Sequence, residues 1–285
     1  MKLIAIDLDG TLLSPEMEIT KESLEAMRKA QSQGHIVMIC SGRAPEDIQQ
    51  ILDKYEFSIP LAGSNGTVVQ AEGEVLKRVS MNRVDITTIA QKLDHERVPY
   101  RIYTDSGIFL PADWSKRVEY AMEKEQIQVE GLSDETYQRI TEQPQKSSLI
   151  NFFSHHSELL NEQELTVQKF FVLTLNDSIK ADLTAYFEGI STIGFTSSHP
   201  LNIEVMDREG NKGNALKRVA NHYGIPLHDT VAIGDNFNDL PMLQVAGLSV
   251  AMGNAEPQVK EVCDVVTYSN NQNGVAYALN KYVIK

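Results

Sequence analysis

Short apolar runs that stop at polar residues, each feeding an amphipathic helix, constrain this chain more than any other feature. Leu3–Ile6 reads as a buried strand and runs into Asp7-Leu8-Asp9-Gly10-Thr11. The next helix is predicted from about Thr20, a suitable N-cap, to Gln33, with Leu24, Met27 and Ala30 on one face and Gly34 at its end. Ile36–Cys40 repeats the strand signature and leads into Ser41-Gly42-Arg43. Pro45 then opens a helix carrying Ile48, Ile51, Leu52 and Tyr55 at helical spacing. Pro60–Ala62 is a third short strand, and Val68–Gln70 with Val75–Val79 reads as a hairpin around Glu72-Gly73.

The pattern returns near the C-terminus. A helix over Lys212–Tyr223 stops at Gly224, and Thr230–Ile233 is a strand. Asn238 is expected to cap a short helix ending near Gly247, followed by strands Leu248–Ala251 and Val265–Thr267. Strand–helix alternation predicts the α/β class: a parallel sheet with helices on both faces. The texture changes between about Met81 and Pro200. There, helices over Val84–His95, Trp114–Lys124, Asp134–Gln143 and Ile179–Phe187 mix with strands Leu149–Phe153, Phe170–Leu175 and Thr192–Thr196. Tyr100–Tyr103 and Ile108–Pro111 flank the turn Asp105-Ser106-Gly107 as a hairpin. This α+β stretch, 81–200, is read as a second domain inserted into a first one made of 1–80 and 201–285.

The formal charge is −13 over 285 residues, which disfavours nucleic acid and anionic membranes, since both bind through clustered Lys and Arg. Local cations can still hold an anionic substrate, because salt screens distant charges beyond roughly 8 Å. Cys40 and Cys263 sit in apolar surroundings and are expected as reduced thiols. Asp7 and Asp9 interrupt any signal-peptide core, and no apolar run approaches the roughly 18–20 residues that span a bilayer. A cytoplasmic protein is expected.

Three predicted strands end in polar groups, and ligands of open parallel sheets bind beyond such ends. Alternation of an extended chain starts the Asp7 and Asp9 carboxylates on one side. Two close carboxylates repel, and a hard divalent cation relieves the repulsion. One carboxylate can attack phosphorus while the other moves a proton. Asp-Gly after a strand is also ordinary turn chemistry, so this segment alone leaves both readings open. An EF-hand fits badly, because Thr11 takes the third ligand position and Gly10 comes too early. Asp235 and Asp239, around Asn236, Phe237 and Asn238, bring two more carboxylates to a third strand end. Ser41 and Gly42 precede a helix N-terminus, which favours anions, although a capping turn explains them equally. Arg43 faces either substrate or solvent. A cation at a helix start opposes the helix dipole, so Lys212 has a reason to be there only if an anion is near. The Walker P-loop spacing is absent around it. Gly63-Ser64-Asn65-Gly66 reads as a tight turn, and His155-His156 as an adjacent pair whose side chains diverge. Arg101, Tyr103, Lys146 and Lys169 lie near predicted strands and face either the site or ordinary packing.

Taken in order, these segments resemble the four motifs of the haloacid dehalogenase-like superfamily, in particular its Cof-type phosphatases with a large α/β cap. Asn65-Gly66 and Ile203-Glu204-Val205 also look like Cof-type features. The resemblance implies a Rossmann-like core with an α+β cap inserted between the second and third motifs. It implies Asp7 as nucleophile, Asp9 as general acid/base, and Lys212 offsetting charge on the transferring group. It implies that Ser41, Gly42 and Asn238 bind the phosphoryl group, with Leu8 and Arg43 completing the substrate-contacting set. Mg²⁺ is the expected cofactor, held by Asp235 with Asp7 and Asp9, and with Asn236 and Asp239 associated. The expected activity is hydrolysis of small-molecule phosphate monoesters, sugar phosphates or phosphorylated cofactors, through an aspartyl-phosphate. The alternatives are a phosphotransferase or phosphomutase on the same site and a non-catalytic phosphometabolite-binding regulator. A dehalogenase fits less well, because a halide leaves without a proton and gives Asp9 no task.

Overall fold

The computed structural model describes residues 1–123, 142, 149–161, 165–175 and 177–285. It forms two compact units, one of Met1–Val79 with Glu209–Lys285 and one of Ser80–Arg208. The strands, numbered along the chain, are β1 (Leu3–Ile6), β2 (Ile36–Cys40), β3 (Leu61–Gly63), β4 (Val68–Ala71) and β5 (Glu74–Arg78) in the first unit. The second unit contributes β6 (Tyr100–Thr104), β7 (Gly107–Pro111), β8 (Ile150–Phe153), β9 (Val167–Leu173), β10 (Ile193–Thr196) and β11 (Asn202–Asp207). The first unit resumes with β12 (Thr230–Gly234), β13 (Leu248–Ala251) and β14 (Val265–Val266).

In the first unit the strands lie in the order β14-β13-β12-β1-β2-β3-β4-β5. Pairing is parallel from β14 to β3 and antiparallel through β4 and β5. Every residue of β1 and β12 is buried, as an apolar run without alternation requires when both sheet faces are covered. Helix Lys21–Ser32 contributes Ala26, Met27 and Ala30 to the core, Pro45–Asp53 contributes Ile48 and Leu52, and Lys212–His222 contributes Leu216 and Val219. Each such large side chain adds about 1.5–3 kcal/mol when fully buried. Thr20 caps the first of these helices, its hydroxyl accepting from Ser23 N at 3.3 Å. The β4–β5 hairpin turns on Glu72 (φ +54°) and Gly73 (φ +81°), the paired positive angles that match strand twist. This is the expected α/β class.

The second unit is a six-stranded sheet in the order β10-β11-β9-β6-β7-β8, antiparallel except between β7 and β8. One face carries Tyr100, Ile102, Phe170, Val172, Ile203 and Val205, which share a core with Ile86, Ile89 and Leu93 of helix Arg83–His95 and Leu183 and Phe187 of helix Asp177–Glu188. On the alternate positions the Arg101 guanidinium lies 5.0 Å from the Trp114 ring and 5.6 Å from the Phe171 ring. Lys169 forms a buried ion pair with Glu204 and lies 4.5 Å from the Tyr103 ring. Asp94 accepts from Tyr100 Oη at 3.0 Å and Arg117 Nη2 at 2.8 Å, and His156 Nδ1 lies 2.9 Å from it. The His155 and His156 rings do not diverge; their centroids are 4.2 Å apart, because His156 turns inward to Asp94 while His155 bonds Ser157.

Residues 201–208, expected in the first domain, belong to the second unit, because β11 pairs with both β9 and β10. The helix expected over Asp134–Gln143 falls almost entirely outside the described residues, and Lys146 lies outside them. Among the described residues no helix is long and apolar enough to cross a membrane.

Candidate active site

The site is built where β1 and β12, neighbours in register at Ile6 and Ile233, release their chains. Asp7 continues the ladder for one residue, donating its N–H to Ile233 O at 3.0 Å. The chain then leaves strand geometry in a wide turn over Leu8–Leu12, closed by Leu12 N to Asp7 O and Leu13 N to Leu8 O at 3.2 and 2.9 Å. Gly10 sits at φ +80°, and a Cβ there would lie 2.4 Å from Asp235 Oδ2. Only glycine fits that approach without displacing the carboxylate.

This turn separates the two carboxylates that alternation starts on one side. Asp7 is buried, whereas the Asp9 side chain is half exposed. Arg43 grips Asp9 in a bidentate fork, Nε to Oδ2 at 2.8 Å and Nη2 to Oδ1 at 2.6 Å. Leu8 faces the apolar core and is fully buried, so any contact it makes with a ligand is through its backbone.

Asp235 follows β12, and Thr11 Oγ1 donates to its Oδ1 at 2.7 Å. Asp239 is fully buried, with both oxygens engaged. Its Oδ2 accepts from Asp235 N and Asn236 N at 2.9 and 3.0 Å, and its Oδ1 accepts from Lys212 Nζ at 2.5 Å. Asn236, rather than Asn238, caps the turn Phe237–Asp239, its Oδ1 accepting from Phe237 N at 2.8 Å. The spacing of Asn236 and Asp239 makes a reciprocal capping pair, which leaves Asn238 for another role. Asn238 is buried, and its Nδ2 donates to Asn65 Oδ1 at 3.2 Å.

Lys212 starts helix Lys212–His222 behind the N-cap Asn211, which accepts from Asn214 N at 2.9 Å. Its buried ammonium bridges Asp239 Oδ1 and Asp7 Oδ1, the latter at 2.6 Å. Two carboxylates thus answer the helix-dipole objection to a lysine here. Ser41, buried after β2, accepts from Arg43 N at 3.2 Å, and its hydroxyl donates to no acceptor among the described residues. Gly42 lies between these two.

Electrostatics follow from burial. Burial first, then Asp239, pushes the Asp7 carboxyl well above the ordinary carboxylate range, with Lys212 opposing. Burial and Asp239 push Asp235 up to about 7, against the Thr11 hydrogen bond and Lys212. Burial works against charge on Lys212, but Asp239 and Asp7 outweigh it and hold the ammonium above its usual value. Cys40, beneath them, is pushed up to about 12 by burial and is not a nucleophile at neutral pH.

Asp7, Asp235 and Asp239 each offer an oxygen within 4.8 Å of the others, and all three are buried. The single ammonium of Lys212 leaves this cluster two positive charges short of neutrality when all three carboxylates ionise. A hard divalent cation fits that deficit and that all-oxygen donor set. Asp7 and Asp235 have an oxygen outside the protein hydrogen bonds described here, whereas Asp239 has neither. The Asp9 carboxylate stands apart from the cluster. Thr11 was not singled out as a site residue, and its place four residues after Asp7 was the available cue.

The comparisons accord with this geometry. Residues 4–279 match the model of a family described as haloacid dehalogenase-like hydrolases. The chain is 30 % identical over 283 residues to phosphatase YwpJ of Bacillus subtilis strain 168, covering 98 % of this chain and 99 % of that one. It is 31 % identical over 283 residues to YwtE of the same organism, a 5-amino-6-(5-phospho-D-ribitylamino)uracil phosphatase, covering 99 % and 98 %. A solved haloacid dehalogenase-like hydrolase from B. subtilis superposes with a TM-score of 0.86 at 28 % identity, covering 99 % of this chain and 100 % of that one. On its sequence, its fold and the residues gathered at its strand ends, the chain belongs to the haloacid dehalogenase-like hydrolases, as a phosphatase.

Proposed function

We propose that the enzyme hydrolyses small-molecule phosphate monoesters with Mg²⁺, through an aspartyl-phosphate on Asp7. The carrying observation is that Asp7, at the end of β1, keeps one oxygen on Lys212 and the other outside the protein's hydrogen bonds. That second oxygen attacks phosphorus in line, forming the Asp7–P bond as the bond to the leaving oxygen breaks. Asp9 gives its proton to the leaving oxygen, then takes one from the water that attacks phosphorus and releases phosphate from Asp7. Arg43 occupies both Asp9 oxygens in its bidentate fork, so proton exchange with the leaving oxygen requires that grip to open.

Lys212 offsets charge on the phosphoryl oxygens, and Ser41, Gly42 and Asn238 supply hydrogen-bond donors to them. Asp235, by its oxygen outside the protein hydrogen bonds, and Asp7, by the oxygen it shares with Lys212, would hold the Mg²⁺, while Asp239, both oxygens engaged, orients Lys212 and the loop after β12. When bound, Mg²⁺ supplies the positive charge that keeps both carboxylates ionised and screens the phosphoryl group. Leu8 contributes backbone only.

The second unit is the inserted cap that selects the substrate. The activity named for YwtE supports a phosphorylated polyol of cofactor metabolism as the substrate class. The proposed compartment is the cytoplasm, supported by the free thiols Cys40 and Cys263. Phosphate release from p-nitrophenyl phosphate, and from a panel of sugar and polyol phosphates, tests the reading. Activity is expected with Mg²⁺, to vanish in EDTA, and to fall at least about a thousand-fold in Asp7→Asn. Full activity of Asp7→Asn would overturn it.

A further inference from the structure

The connection between β3 and β4 carries more strain than its task requires. Ser64, Asn65 and Gly66 take φ of +48°, +60° and +91°, three consecutive residues in the left-handed region. The first two bear a Cβ, for which that region is unfavourable, and both are almost fully buried. An antiparallel pair such as β3 and β4 can be joined by an exposed two-residue turn, as Glu72-Gly73 joins β4 and β5. The strained turn is instead held from three sides. Ser64 N donates to Arg43 O at 2.7 Å and Asn65 N to Ser41 O at 2.9 Å, both in the loop after β2. A Cβ on Gly66 would lie 2.5 Å from Asn211 O, so the turn presses on the N-cap ahead of Lys212. Asn65 Oδ1 accepts from Asn238 Nδ2 at 3.2 Å, in the loop after β12. The turn therefore touches the loops after β2 and β12 and the start of the Lys212 helix, which carry Ser41, Gly42, Asn238 and Lys212, while no part of it enters the proposed chemistry.

We propose that Asn65 is a positioning residue whose side-chain oxygen fixes the amide plane of Asn238, leaving the second N–H of Nδ2 to the substrate's phosphoryl oxygen. An amide nitrogen has two donors, and committing one to a buried acceptor sets the direction of the other. This inference rests on the reading that Asn238 contacts the phosphoryl group. Asparagine also tolerates left-handed backbone, so a purely conformational role must be separated from a positioning one.

Asn65→Gly separates them, because glycine takes φ +60° without strain while losing the side chain. KM for p-nitrophenyl phosphate and the inhibition constant of inorganic phosphate are expected to rise together, about three- to tenfold, the loss of one hydrogen bond. The melting temperature and kcat stay near wild type. In an Asn238→Ala background, Asn65→Gly is expected to change neither constant further. If Asn238→Ala raises KM and Asn65→Gly does not, or if the two effects add, the positioning role is overturned and the reading of Asn238 stands. If Asn238→Ala leaves KM unchanged, the reading of Asn238 fails and the inference falls with it.

Discussion

Stripping divalent cations is expected to make the first unit lose stability as pH rises, and Mg²⁺ to restore it. Asp235 is pushed from 3.8 up to about 7 in the folded protein. Below about pH 4 it is protonated folded and unfolded alike. Between there and about 7 the unfolded chain has ionised and the folded chain still holds the proton. The folded state then binds more protons, so stability falls with pH across this window and the loss is complete above the folded value. Three pH units at about 1.4 kcal/mol each give roughly 4 kcal/mol as a ceiling for this one carboxyl. Asp7 shifts in the same direction. For a unit of this size that is about 8–16 °C of melting temperature. Other carboxylates titrate the opposite way, so the measurement is a difference: melting temperature in Mg²⁺ minus that in EDTA, by scanning fluorimetry from pH 4 to 8. The gain is expected to be near zero at pH 4, about 10 °C at pH 8, and nearly flat in Asp235→Asn. A gain equal at both ends of the range, or retained in full by Asp235→Asn, would refute the charge-deficit argument.

Arg43→Met removes the grip that must open before Asp9 acts as acid, and is expected to raise turnover of alkyl phosphates about two- to tenfold while leaving p-nitrophenyl phosphate, whose leaving group needs no proton, unchanged. Its melting temperature shifts by no more than a few degrees, since half-exposed ion pairs contribute about 0–1 kcal/mol. Gly10→Ala places a Cβ into Asp235 on a left-handed backbone, and a Mg²⁺ titration of activity is expected to need at least about tenfold more metal. Asp94→Ala removes the shared acceptor of Tyr100 and Arg117 and the partner of His156, and urea unfolding is expected to show the second unit weakened by about 2–4 kcal/mol.

The fold was legible where the physics is local. Strands β1, β2 and β12 are covered on both faces, so their apolar runs announce them without an alternating pattern. Polar residues after such runs mark strand ends, and the structure brings Asp7, Lys212, Asp235 and Asp239 together there. What stayed hidden depended on tertiary geometry. Alternation kept Asp7 and Asp9 together, but the chain abandons strand geometry at Leu8, and Arg43 from a neighbouring loop takes Asp9. Asn238 looked like a cap because it precedes the helix, yet Asn236 three residues ahead of Asp239 closes a reciprocal pair first. The unit boundary falls after residue 208 rather than near 201, because β11 pairs with β9 and β10, partners that its own residues do not announce.

The parallel pairing of β1 with β12 also sets an order of events during synthesis. Some 155 residues separate Val79 from Gly234, and the whole second unit lies between them. At about 5–20 residues per second, the ribosome needs roughly 8–30 s to cover that distance. Throughout that interval β1, an all-apolar strand, has β2 on one side and an open edge on the other. Such an edge is a template for pairing with another chain. The sheet is therefore most exposed to aggregation before β12 emerges, and slow codons or stalls between Ser80 and Arg208 would lengthen that exposure.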